Sequence, residues 1–99
     1  MEDDLQIRRR RAIYRASHRG TKEMDIILGR YAEARVADMP EGELEIFERF
    51  LALPDPMLTS WFAQGAASDD GAEFAPLVAA LRDHFGLGPA AGDKVVDRQ

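Results

Sequence analysis

Apolar residues recur at helical spacing in five separate stretches of this chain, and nowhere alternate with polar ones as a half-buried strand requires. Leu5, Arg9, Ala12, Ile13 and Ala16 share one face over about residues 4–17, with Arg9 contributing its aliphatic stem and Asp3 or Asp4 available as cap. Met24, Ile27, Leu28, Tyr31 and Arg35 repeat over about 22–37, with Thr21 as cap and Pro40 as stop. Leu44, Ile46, Phe47, Phe50 and Leu51 make residues 41–52 apolar over a wide arc, which predicts the central helix. Pro54-Asp55-Pro56 is the strongest punctuation, with Asp55 as N-cap and Pro56 at the first helical position. The short helix it opens carries Leu58, Trp61 and Phe62 to about Gln64, and Gly65 suits its end. Trp61 reads first as a core ring, and only secondarily as part of a partner surface. Phe74, Leu77, Val78, Leu81 and Phe85 mark a fifth helix over about 73–85, with Pro76 in its first turn and Gly86 closing it. The fold class predicted is all-α, a small five-helix bundle.

Two glycine-bearing positions sharpen that picture. Gly29 inside the second helix costs about 1 kcal/mol relative to alanine, which predicts a close helix crossing there. Gly88-Pro89-Ala90-Ala91-Gly92 is linker-like, so residues 1–86 are expected to form a single helical domain and residues 87–99 a flexible tail.

Composition narrows the function. The chain has 99 residues, enough for one domain, and its lack of cysteine excludes disulfides, iron–sulfur clusters and zinc–thiolate sites. No apolar run approaches the roughly 18 residues that would span a bilayer, so membrane insertion is not expected. The start, Met1-Glu2-Asp3-Asp4, is acidic where secretory and transit segments are not, so the expected address is a bacterial cytoplasm. His18 and His84 are the only histidines, with no metal-ligand spacing near them, and no Gly-rich phosphate loop is present. Asp69-Asp70 reads as a solvated loop. Catalysis by this chain alone is therefore not expected.

Net charge is −5, unevenly spread. Residues 1–35 hold nine Lys/Arg against six Asp/Glu, whereas residues 36–99 hold four against twelve. Such asymmetry predicts an oriented partner surface. The run Arg8-Arg9-Arg10-Arg11, with Arg15, raises a nucleic-acid reading. A solvated helix flank is the competing reading, and the acidity of the rest of the chain favours it.

The most informative stretch is His18-Arg19-Gly20-Thr21-Lys22-Glu23-Met24-Asp25, where one helix should end and another begin. Gly20 allows close backbone approach or positive φ. Arg19 offers a planar fork of donors, and Glu23 an acceptor one helical turn later, so both could address one spot. An intrahelical pair is the bland alternative, but an acid preceding its base is the better order at this spacing.

Arg19-Gly20-x-x-Glu23, with Met24-Asp25 and Ile26-Ile27-Leu28 after it, resembles the signature of the SdhE-type FAD assembly factors of succinate dehydrogenase. The resemblance continues through Glu45-Ile46-Phe47-Glu48-Arg49-Phe50-Leu51, Pro54-Asp55-Pro56 and Trp61-Phe62, covering about residues 8–65. It implies the same all-α fold and a chaperone-like role without catalysis. The implied partner is the flavoprotein subunit of succinate dehydrogenase, possibly of fumarate reductase. FAD would become covalently attached to that subunit, with no cofactor bound stably by this chain. The partner-binding residues implied are Arg19, Gly20 and Glu23, with His18, Met24 and Asp25 flanking. The family often places a second basic residue before the motif; His18 stands there instead. A monomer is expected. A small helical nucleic-acid-binding domain and a generic protein-interaction adaptor are the alternatives.

Overall fold

The computed structural model describes residues 4–65 and 72–87. Five α-helices and no strand occur among them, as the apolar spacing predicts. They are α1 (Asp4–Ser17), α2 (Lys22–Arg35), α3 (Glu41–Leu51), α4 (Asp55–Gln64) and α5 (Ala75–His84). The chain divides into two compact units, Met1–Asp55 and Pro56–Gln99, parting within the Pro54-Asp55-Pro56 punctuation. The expected tail, from residue 88 on, and the Asp69-Asp70 loop lie outside the described residues.

In the first unit, α1 lies against α2 through small residues. Ala12 and Ala16 are buried on α1, and Gly29 is buried on α2. A Cβ at Gly29 would sit 2.9 Å from Ser17 Oγ and 3.3 Å from Ser17 Cα, so the predicted close crossing is present and Ser17 is its other side. Met24, Leu28, Tyr31 and Ala32 of α2 and Leu44, Phe47, Phe50 and Leu51 of α3 complete the apolar interior with Val36 and Met39. The Tyr31 and Phe47 rings are tilted 6.1 Å apart, joining α2 to α3.

Helix ends follow local chemistry. Thr21 is extended and its Oγ1 accepts from the Met24 N–H at 3.3 Å, the predicted cap of α2. The expected second helix over 22–37 is shorter than that. After Arg35 the chain tightens into a 3₁₀ turn, Val36–Asp38, because Met39 before Pro40 must be extended (φ −76°, ψ 128°).

The second unit holds Leu58 and Trp61 of α4 and Val78 and Leu81 of α5, all buried. Trp61 packs on Phe74 with ring centroids 6.1 Å apart, the core role expected of it. The fifth helix begins later than expected. A 3₁₀ turn, Ala72–Phe74, leads into α5, since Pro76 next to its start has no N–H to continue an earlier helix. Gly65 and Gly86 take positive φ, 96° and 76°. Leu87 N–H donates to Arg82 O and Gly86 N–H to Asp83 O, the double closure of a left-handed helix end.

Two members of the arginine run, Arg8 and Arg9, are committed inside the first unit. Arg8 donates to both Glu48 oxygens, at 3.1 and 2.7 Å, and to Glu41 at 3.2 Å. Arg9 Nη2 donates to the Met39 carbonyl at 2.7 Å. These contacts tie α1 to α3 and to the turn before it, and they withdraw Arg8 and Arg9 from any phosphate-binding stripe.

Two outcomes are expected. Gly29→Ala should lower stability by about 1 kcal/mol despite alanine's helix propensity, because the crossing must open. Chemical denaturation checks this, and the loss should shrink in a Ser17→Ala background, where the nearest atom is gone. The Arg8 hydrogen bonds, and then its charge, hold the Glu48 carboxyl below the ordinary glutamate value of 4.5 against the opposing pull of burial. A depressed folded value means the pair's contribution is full above that pH and lost as pH falls through the folded value. The stability gap between parent and Arg8→Ala should therefore close on acidification below about 4.5, followed by denaturant titration at each pH.

Candidate functional site

Residues 18–21 join α1 to α2 without helical geometry, which separates Arg19 and Glu23 in direction. Arg19 turns inward, its side chain 11% exposed. Its Nε and Nη2 reach Asp55 Oδ1 at 2.9 and 2.7 Å. Nη2 also donates to the Leu53 carbonyl at 2.8 Å, and Nη1 donates to the Leu51 carbonyl. Leu51 is the last residue of α3, where carbonyls lack helical partners and the helix dipole is negative. The guanidinium thus closes the end of α3 and neutralises Asp55 at once. Little of the fork is left for another molecule.

The backbone of the turn is held as well. Arg19 N–H donates to Asp25 Oδ1, and Gly20 N–H donates to Asp55 Oδ2 at 3.3 Å. Gly20 is exposed and its φ is not positive, so a left-handed turn does not explain it. A Cβ there would meet only Asp55 Oδ2, at an ordinary 3.5 Å. Open approach from outside is the property that remains.

The other sequence-predicted residues separate into two groups. Glu23 is exposed, and no side chain among the described residues pairs with it. His18 is exposed too; its Nδ1 lies 2.8 Å from the Tyr14 carbonyl oxygen, and its ring stacks on Tyr14 at 3.9 Å. Met24 is 2% exposed, its thioether taken up by the core, so it cannot be a contact residue on a partner surface. Asp25 is half-buried and spent on the Arg19 amide. The expectation that Arg19 and Glu23 address one spot gives way for a geometric reason. The i,i+4 rule holds on a helix, and α1 ends at Ser17 while α2 begins at Lys22.

Sequence reasoning missed Asp55 as a member of this site and took it for the cap of its own helix. Its tie to Arg19 spans 36 residues, a separation at which no local signal operates. It also missed the open groove of about 430 Å³ beside the turn, lined by Arg10, Ile13, Tyr14, Ser17, His18 and Glu33. Tyr14 is 63% exposed there, the one hint being an aromatic within a basic run. Among the described residues no cluster of acids and histidines could hold a metal ion, and no helix is long and apolar enough to cross a membrane.

Residues 10–85 match the family model described as flavinator of succinate dehydrogenase. The chain is 50% identical over 60 residues to the FAD assembly factor SdhE of Acetobacter pasteurianus, covering 61% of this chain and 55% of that one. It is 35% identical over 60 residues to the FAD assembly factor SdhE of Coxiella burnetii, covering 61% and 72% of the two chains. It is also 37% identical over 54 residues to the mitochondrial succinate dehydrogenase assembly factor 2 of Mycosarcoma maydis, covering 54% of this chain and 23% of that one. The chain thus spans about half the length of the Acetobacter relative and nearly three quarters of the Coxiella one. No solved structure matches it with comparable significance.

Arg19→Ala should cost about 2 kcal/mol of stability, since it strips a partly buried carboxylate and the end of α3 of charged hydrogen bonds. Arg19→Lys should recover only part, because an ammonium cannot reach acceptors spread around a planar fork. Glu23→Ala should stay within about 0.5 kcal/mol of the parent. Urea titration separates these outcomes, and a neutral Arg19→Ala would show that the closure of α3 is worth little.

Proposed function

The chain belongs to the family of succinate dehydrogenase flavinators, and from that premise we propose that it is an FAD assembly factor. It binds the flavoprotein subunit of succinate dehydrogenase in a bacterial cytoplasm and promotes covalent attachment of FAD to that subunit. The bond forms on the partner, and this chain, acting as a monomer, holds no cofactor stably. Its work is to stabilise a conformation of the partner in which flavin and acceptor side chain are aligned. A binder does this by preferring that conformation over the others.

The observation that carries the reading is the family match over residues 10–85, which encloses an exposed motif turn on a compact unit. Gly20, Glu23 and His18 supply the contact surface: an unobstructed backbone, an acceptor left unpaired among the described residues, and a ring already stacked on Tyr14. Arg19 belongs beneath that surface. The nucleic-acid alternative is not favoured: the family match points elsewhere, and Arg8 and Arg9 are engaged with Glu48, Glu41 and Met39. A generic adaptor would bind the subunit without changing its flavin content.

The test uses the purified flavoprotein subunit with FAD, with and without this protein, read by in-gel flavin fluorescence. The parent should raise covalent flavin. Gly20→Arg, which places a long side chain on the contact surface, should stay folded yet lower the effect about tenfold or more, the scale of a hot-spot substitution. Full flavinylation by Gly20→Arg, or a defect explained by its unfolding, would contradict the assignment.

A further inference from the structure

The geometry points to Asp55 as a positioning residue for the exposed turn at 18–21, an inference that rests on the reading of that turn as the partner contact. Two successive amides of the turn, those of Arg19 and Gly20, donate to carboxylates from two different places in the chain, Asp25 and Asp55. Asp55 divides its oxygens between two tasks. Oδ1 accepts from the Arg19 fork at 2.9 and 2.7 Å, and Oδ2 accepts from Gly20 N–H at 3.3 Å. Its side chain is 19% exposed and that of Arg19 11%, so the pair is sheltered from solvent competition. Prolines on both sides, Pro54 and Pro56, stiffen the backbone that presents this carboxylate.

The consequence falls on Gly20. A glycine in a turn explores far more backbone space than any other residue. Here one carboxylate oxygen restrains its amide, while the other is fixed by a guanidinium that is itself docked on the end of α3. Arg19 and Asp55 therefore act together, beneath the surface, to hold Gly20 in one conformation. Loss of either lets the turn sample several, and apparent affinity falls with the fraction that remains competent. The guanidinium at position 19 then serves acceptors inside the chain.

Asp55→Asn is the discriminating variant. It is isosteric but replaces one acceptor oxygen with a donor, so it cannot serve both the Arg19 fork and the Gly20 amide. Binding of the purified flavoprotein subunit is titrated for the parent, Asp55→Asn, Arg19→Lys, Glu23→Ala, Gly20→Arg and the double variants. Native-state exchange of the Gly20 amide is followed in parallel. Asp55→Asn should weaken binding about tenfold and speed Gly20 exchange, with a cooperative melt retained. Combined with Arg19→Lys it should be no weaker than the worse single variant, whereas combined with Glu23→Ala the losses should multiply. Parent-like binding by Asp55→Asn, with Glu23→Ala and Gly20→Arg still weak, overturns the inference and leaves the site assignment standing. Parent-like binding by Glu23→Ala and Gly20→Arg overturns the site assignment and the inference with it. Multiplying losses for the Asp55 and Arg19 pair, or a lost cooperative melt in Asp55→Asn, would also overturn it.

Discussion

The first unit depends on one cation placed against the carbonyl end of a helix. Arg19 meets Leu51, Leu53 and Asp55 together, where α3 ends and its dipole is negative. Those carbonyls have no helical donors, and a buried acceptor without a partner costs on the order of 1–3 kcal/mol. A planar guanidinium satisfies several at one stroke, which a lysine cannot do. Because Arg19 sits two residues beyond α1, the same contact fixes where α1 stops and how the chain enters α2.

That arrangement assigns separate tasks to neighbouring residues of one short motif. Arg19, Met24 and Asp25 face inward and give the turn its shape. His18, Gly20 and Glu23 face outward and are available to a partner. The motif thus combines inward-facing residues that shape the turn with outward-facing ones that leave its surface open. The close crossing of Gly29 on Ser17 supports the same end of the hairpin, since Ser17 immediately precedes the turn.

Much of this was legible in the sequence, and the exceptions share a cause. The first helix spans the residues its periodicity predicts, and the ends of α3 and α4 lie within a residue of prediction. In each case the signal, apolar spacing or proline and glycine punctuation, is local. The Gly29 crossing was readable because a glycine costs stability in a helix interior and needs a packing reason. The α2 and α5 termini were not, because tightening into a 3₁₀ turn depends on how neighbouring residues meet a proline. Least legible were the long-range partners: Asp55 for Arg19, Glu48 for Arg8, and the Met39 carbonyl for Arg9. Charge runs look alike whether they are solvated or paired across 30 or 40 residues. The family resemblance points to the motif residues as a group, and the fold separates those that face in from those that face out.

We place the contact with the flavoprotein subunit on the exposed turn between α1 and α2. Amide hydrogen exchange of this protein, free and in complex with the purified subunit, tests it most directly. Slowed exchange is expected only at residues 18–26 and the adjoining face of α1 around Tyr14, with the outer face of α3 unchanged. Protection concentrated on α3, with the amides of the motif turn exchanging at the same rate free and bound, would contradict it.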